Sequence, residues 1–248
     1  RTFTLPTTGD SVYEGNEPFT VTITGTSGGG LERLLIDTAN DYVTTTIVDD
    51  DTPTLSINSV TVTEGTDAHA VFTLSLSNPS TQNVVVALSL ANGTATVGTD
   101  TGTSAALQYY NGSIWVTVPV SGQVTIAAGE TSLQLRTAIT DDLLDEFTET
   151  YTLTAAHVSG TVTSTADVVG TGTILDDDAP PSLTIDDVTR NESDGTLTFT
   201  VTLNAASGKS VTVNYETVAG SAVAGSDYTH TSGTLTFNPG ETTKTVLI

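Results

Sequence analysis

The sequence predicts an all-β fold built from tandem two-sheet sandwiches. Three observations carry that reading: a strand-forming composition, an apolar alternation of period two, and the recurrence of whole segments. The chain has 248 residues, with 37% hydrophobic and only 14% charged side chains. Thr, Val, Ser, Gly and Ala dominate, a mix that can bury cores and that differs from a disordered acidic tail.

The alternation is explicit. In AVFTLSL, Phe72, Leu74 and Leu76 alternate with Thr73 and Ser75. In TLTFTVTL, Leu197, Phe199, Val201 and Leu203 alternate with threonines, and NVVVALSL (83–90) and SLQLRTAI (132–139) follow the same period. Such segments have one buried and one wet face. NG, PG, GG and SG pairs separate them, and no helical period is sustained. Seven or more short strands in about 125 residues suggest a two-sheet sandwich.

The recurrence fixes the organisation. Asp49, Asp50 and Asp51 return as Asp176, Asp177 and Asp178, and LSINSVTVTEG (55–65) returns as LTIDDVTRNES (183–193), matching Glu64 with Glu192. Asp100 matches Asp227, AAGET (127–131) matches NPGET (238–242), and Glu14 and Glu17 match Glu146 and Glu149. These anchors keep one order. They divide the chain into the back half of a repeat at 1–51, a complete repeat at 52–178, and the front half of another at 179–248. The expectation is a two-period window of a longer array. The complete repeat carries an insertion near 101–121, where Tyr109, Tyr110, Asn111-Gly112, Ile114 and Trp115 predict a hairpin with a two-residue turn. That hairpin reads either as an aromatic platform for a glycan or protein receptor, or as an extra hairpin packed on its own sandwich. Cross-strand aromatic pairs favour the second.

Charge narrows function. Twenty-nine acidic residues stand against six basic ones, for a net charge of −23. A phosphate backbone needs excess Lys and Arg, so nucleic acid is excluded as a partner. No apolar run is long enough to span a bilayer as a helix, so no membrane insertion is expected in this segment. There is no cysteine, so redox compartment is silent.

Acids gather at predicted strand ends of the complete repeat: Glu64, Asp100, Asp141, Asp142, Glu146, Glu149, Asp176, Asp177 and Asp178. Loops of a sandwich collect at its two ends, so these groups can converge. Two carboxylates about 5 Å apart at an effective dielectric near 20 repel by about 3 kcal/mol. No Lys or Arg lies within these motifs. A hard dication with six to eight oxygen ligands answers the repulsion, and calcium suits flexible loops and bidentate carboxylates better than magnesium does. Zinc would want His or Cys, and the chain has three dispersed histidines.

The same residues resemble the Calx-beta repeat family. The likeness lies in VTEG (62–65), NES (191–193), AVAGSDYTHTSGTLTFNPGETTKTV (222–246), DDLLDEFTETYTL (141–153) and the closing TILDDD (173–178). It implies a seven-stranded, immunoglobulin-like sandwich whose end loops bind several calcium ions. It also implies ligands at the nine acids above, at Glu192 and Asp227 in the third repeat, and at Asp10, Glu14, Glu17, Asp49, Asp50 and Asp51 in the first. Gly9 departs from the pattern by replacing the first acid of its pair, and Thr101 replaces the tyrosine of SDY.

Other motifs carry less. GTSGG at 25–29 matches the Ser-centred elbow of hydrolases but lacks its strand–turn–helix context. His69, His157 and His230 have no recurring acidic or Ser neighbours, and no enzyme is expected. The sequons at Asn92, Asn111 and Asn191 are short enough to arise by chance. The expectation is a calcium-binding, stalk-forming segment of a secreted or cell-surface, adhesin-like bacterial protein, partnered by adjacent repeats. The alternative is a filament subunit, in which half-repeats of neighbouring copies complete each other.

Overall fold

A computed structural model describes residues 2–27, 30 and 35–248, so Gly28 and Gly29 of the GTSGG stretch lie outside the described residues. The first segment gives a hairpin, β1 (Glu17–Thr22) antiparallel to β2 (Tyr42–Ile47). The complete repeat follows with β3 (Leu55–Ile57), β4 (Val60–Thr63), β5 (His69–Leu76), β6 (Val84–Asn92), β7 (Gln108–Tyr110), β8 (Trp115–Thr117), β9 (Gln123–Ile126), β10 (Ser132–Ala138), β11 (Glu149–Ser159) and β12 (Val168–Leu175). The last segment holds β13 (Leu183–Ile185), β14 (Thr198–Leu203), β15 (Val211–Glu216), β16 (Ser232–Phe237) and β17 (Thr243–Leu247). Among the described residues, helix is limited to two 3-10 turns, Ser104–Ala106 and Glu192–Asp194. No helix there is long and apolar enough to cross a membrane.

The complete repeat is a sandwich of two five-stranded sheets, ordered β3-β5-β10-β7-β8 and β4-β12-β11-β6-β9. The alternation places its core: Phe72 and Leu74 from β5, Val84 and Val86 from β6, Leu135 from β10, and Tyr151 and Leu153 from β11 are fully buried. The inserted hairpin forms and extends the first sheet, with β7 pairing β10 and Tyr110 opposite Trp115. Trp115 is held on its own sandwich: the Tyr110 ring centroid lies 5.4 Å away and the Arg136 guanidinium sits 4.4 Å over its ring. Arg136 Nε also donates to Gln108 Oε1 at 2.8 Å, which fixes that cation in place.

The strand pairing gathers one end of the sandwich. β12 runs parallel to β4, with Leu175 opposite Thr63, so both strands finish side by side. β11 is antiparallel to β12 with Glu149 opposite Ile174, and Asn92 at the end of β6 lies opposite Tyr151. Four chain segments from distant parts of the repeat therefore share a rim. The third segment is only partly closed. Val201, Leu203, Phe237 and Val246 make a small core, and its strands remain in separate three- and two-stranded sheets.

Candidate metal centre

All nine acids read from the sequence of the complete repeat lie at that shared end. Glu64 follows β4, and its backbone N–H donates to Leu175 O at 3.1 Å, tying it beside Asp176. Its carboxyl is pushed up to about 7, first by burial and then by Asp142, Asp176, Glu146 and Asp177. Glu149 also rises to about 7, through burial, the charge of Asp100, a side-chain hydrogen bond with Asp100, and Glu146. Burial raises Asp178 too, with Asp177, Asp176, Asp142 and Asp141 adding repulsion. These mutual fields link the nine carboxylates into one group.

Convergence stops short of a finished cage. Among the described residues, no three acids close on a point that could hold a metal ion. Backbone amides hold the side chains instead: Asp176 Oδ2 accepts from Glu146 N at 3.0 Å, Asp142 Oδ1 from Leu144 N at 2.8 Å, and Asp100 Oδ2 from Thr96 N at 2.5 Å. Asp178 Oδ2 is buried with no hydrogen-bond partner. An unpartnered buried oxygen inside an all-oxygen acidic rim is a donor set that fits a hard dication.

Gly65 shows how tightly the rim is built. Its φ is +66°, and a Cβ there would overlap the Asp177 carboxylate, whose Cγ would lie 2.9 Å away. The glycine of the TEG motif thus turns the chain and leaves room for the acid opposite.

The first segment repeats the arrangement. Asp10, Glu14, Glu17, Asp49, Asp50 and Asp51 line one cleft of about 140 Å³. Asp49 Oδ2 accepts from Glu14 N and Gly15 N, each at 2.5 Å, and Asp49 Oδ1 accepts from Asp51 N at 2.9 Å. Asp176 makes the matching bonds to Glu146 N and Asp178 N. Glu14 is raised by Asp10 first, then by Glu17, burial and Asp49. In the third segment Glu192 and Asp227 line an open cleft of about 420 Å³ together with Arg190. Asp227 Oδ2 accepts from Val223 N at 2.8 Å, as Asp100 does from Thr96. Those two acids meet no others of the predicted set there.

Two functional groups escaped the sequence reading. Asp145, nearly buried, and Lys209 of the following repeat pair at 2.6 Å, and Lys209 Nζ lies 3.7 Å from Asp176 Oδ2. The acids are therefore not without a basic neighbour. Recurrence gives no signal for Asp145, since Tyr13 holds its place in the first segment, and Lys209 lies in the next repeat. Two of the histidines have partners of their own: His157 Nε2 contacts Gly160 O at 2.7 Å and His230 Nδ1 contacts Thr217 Oγ1 at 3.1 Å.

Fold and site together define tandem β repeats, one of them a complete sandwich with a carboxylate-rich end. The model of the family described as "Calx-beta domain" matches residues 1–51, 48–178 and 176–248. The chain belongs to the Calx-beta family. Solved structures similar to it include CBD12 from CALX1.2, at 20% identity over 77% of this chain and 74% of that one, with a TM-score of 0.37. The calcium binding domain CBD12 of CALX1.1 matches at 18% identity over 78% and 74%, with the same TM-score. The Pseudomonas aeruginosa CupB2 chaperone matches at 12% identity over 76% and 84%, with a TM-score of 0.32. No curated protein matches the chain.

Proposed function

We propose that this chain is a non-catalytic, calcium-binding stalk segment of a secreted or cell-surface protein, adhesin-like and bacterial. The observation that carries the reading is the linked set of nine carboxylates at the rim where one repeat hands over to the next. Glu64, Asp100, Asp141, Asp142, Glu146, Glu149, Asp176, Asp177 and Asp178 would hold calcium in the complete repeat. The six cleft-lining acids would hold it in the first, and Glu192 with Asp227 would contribute in the third. Bound there, calcium supplies positive charge that cancels the repulsion and joins loops from different strands. Asp176 to Asp178 close β12 and lead to Pro180 and Pro181 within a few residues, so fixing their carboxylates also stiffens a short, proline-restricted linker.

The direct test is a pair of thermal melts, in EDTA and in millimolar calcium. Calcium is expected to raise the midpoint by an amount that grows with concentration, about 3 kcal/mol of stabilisation at one hundred times the dissociation constant for one site. Coincident melts would refute the reading.

A second reading rests on bare apolar faces. Ile185, Leu197, Phe199, Tyr215, Val246 and Ile248 line an open cleft of about 400 Å³ in the third segment. Among the described residues β15 pairs only with β16, whereas its counterpart β6 also pairs with β11. The β1–β2 hairpin, counterpart of β11–β12, leaves Val43 and Ile47 exposed. A second copy's hairpin, added along β15, would complete the sandwich and give head-to-tail association. Light scattering of the 248-residue chain is expected to show mass rising with concentration. A constant monomer mass would remove this reading and leave the stalk intact.

A further inference from the structure

Both repeat junctions use the same backbone device. Tyr13 forms a parallel bridge with Ser80, and Asp145 forms one with Ser207. Thr81 N donates to Tyr13 O at 2.8 Å, and Gly208 N donates to Asp145 O at 3.1 Å. Each serine is buried and accepts, through its hydroxyl, from the amide two residues on: Gln82 N at one junction and Lys209 N at the other, both at 3.0 Å. Each serine carbonyl accepts from a turn glycine of its own repeat, Gly129 N at 2.8 Å or Gly240 N at 2.9 Å. The loop between β5 and β6, and its counterpart between β14 and β15, is thus a built socket for the preceding repeat.

The side chains at the two sockets differ in charge. At the second junction Lys209 Nζ donates to Asp145 Oδ1 at 2.6 Å, stands 3.7 Å from Asp176 Oδ2 and lies 5.1 Å from the Phe147 ring centroid. Ser207 Oγ completes the contact by donating to Asp145 O at 3.0 Å. Gly208 makes the approach workable, because a Cβ there would come within 2.6 Å of Glu146 Oε1. At the first junction Gln82 holds the place of Lys209 and Tyr13 that of Asp145, so no cation reaches the acidic cleft from the socket. With side-chain exposures of 26% for Lys209, 8% for Asp145 and 11% for Asp176, the second-junction pair is shielded from water far more than a surface ion pair.

We infer that Lys209 is an inter-repeat latch: a cation fixed in the socket of one repeat that enters the acidic rim of the repeat before it and holds the second junction docked without metal. The first junction is held by neutral hydrogen bonds only, with Tyr13 N donating to Pro79 O, Thr81 Oγ1 to Tyr13 O and Asn78 Nδ2 to Asp51 O, and lacks the cation. The inference goes beyond the calcium reading, since it assigns part of the rim's counter-charge to the protein itself. It makes the array uneven, with one junction held by an ion pair and the other by neutral hydrogen bonds.

The chain has no cysteine, so spin labels can be placed at will. One pair, at Thr46→Cys and Ser132→Cys, spans the first junction, and another, at Ser132→Cys and Ser232→Cys, spans the second; all three sites are exposed strand positions. In EDTA the second pair is expected to give a narrow distance distribution, with the first pair as the comparison that has no lysine. Lys209→Gln is expected to broaden the second pair in EDTA, and Lys209→Arg to keep it narrow. An unchanged, narrow second pair in Lys209→Gln would overturn the latch, as would a second pair already broad in the parent chain. Calcium added afterwards reports separately on the stalk reading: if neither pair responds, that reading fails while the comparison in EDTA still decides the latch.

Discussion

With calcium chelated, the thermal midpoint of the complete repeat is expected to fall as pH rises from about 4.5 to about 7, the reverse of ordinary acid denaturation. Glu64 and Glu149 carry the effect, since burial and neighbouring acids push both up to about 7 from an ordinary 4.5. Between those values the folded chain keeps protons that the unfolded chain has released. Stability must then decrease with pH through that window and level off above it. Solvent screening at an open rim reduces the contribution to about 1 kcal/mol for each group, or roughly 5–10 °C in all for a domain of this size. Millimolar calcium is expected to flatten the profile, because metal-held carboxylates stay deprotonated throughout. A Glu64→Gln, Glu149→Gln double variant in EDTA should flatten it as well. Melts by circular dichroism across pH 4.5 to 8 decide the point, and a midpoint that climbs with pH would contradict the burial of these two acids.

The strand period and the recurrence made most of the complete repeat readable in advance. Phe72, Leu74 and Leu76 alternate with polar residues in the sequence and are buried in the fold. The rim was legible for a different reason: acids that return in register at strand ends have no local task in a strand. That filter also set its limits. Asp145 has no acidic counterpart, so recurrence discarded it although it is nearly buried and paired. Lys209 could not be placed at all, because its partner lies 64 residues away across a junction whose geometry only the fold supplies. The expected convergence of the acids was likewise limited by a competition that spacing does not reveal. Short aspartate side chains reach backbone amides two to four residues away, and those bonds compete with a shared ligand position.

Gly172→Ala is expected to be a strongly damaging single-methyl change. Gly172 on β12 lies opposite Tyr151 on β11, and a Cβ there would come within 2.5 Å of Tyr151 Cε1 and 2.7 Å of its hydroxyl oxygen. The ring cannot give way. Tyr151 is fully buried and meets Phe72 edge-on, with centroids 6.2 Å apart at 76°. Phe72 lies close against β12 in turn: a Cβ at Gly170 would come within 3.2 Å of its Cδ1. Two glycines on one face of β12 therefore make the slot that two core aromatics fill, and Tyr215 opposite Gly233 repeats the device in the third segment. Forcing a methyl into such a slot costs about 3 kcal/mol, enough to lower the midpoint by roughly 10 °C in a repeat of this size. Tyr151→Leu added to Gly172→Ala should recover part of that loss, since it removes the ring that the methyl strikes. It also removes a phenol whose hydroxyl has no partner in the core. A Gly172→Ala chain that melts like its parent would show that the ring and the strand can separate, and the packing of the repeat around Tyr151 would have to be redrawn.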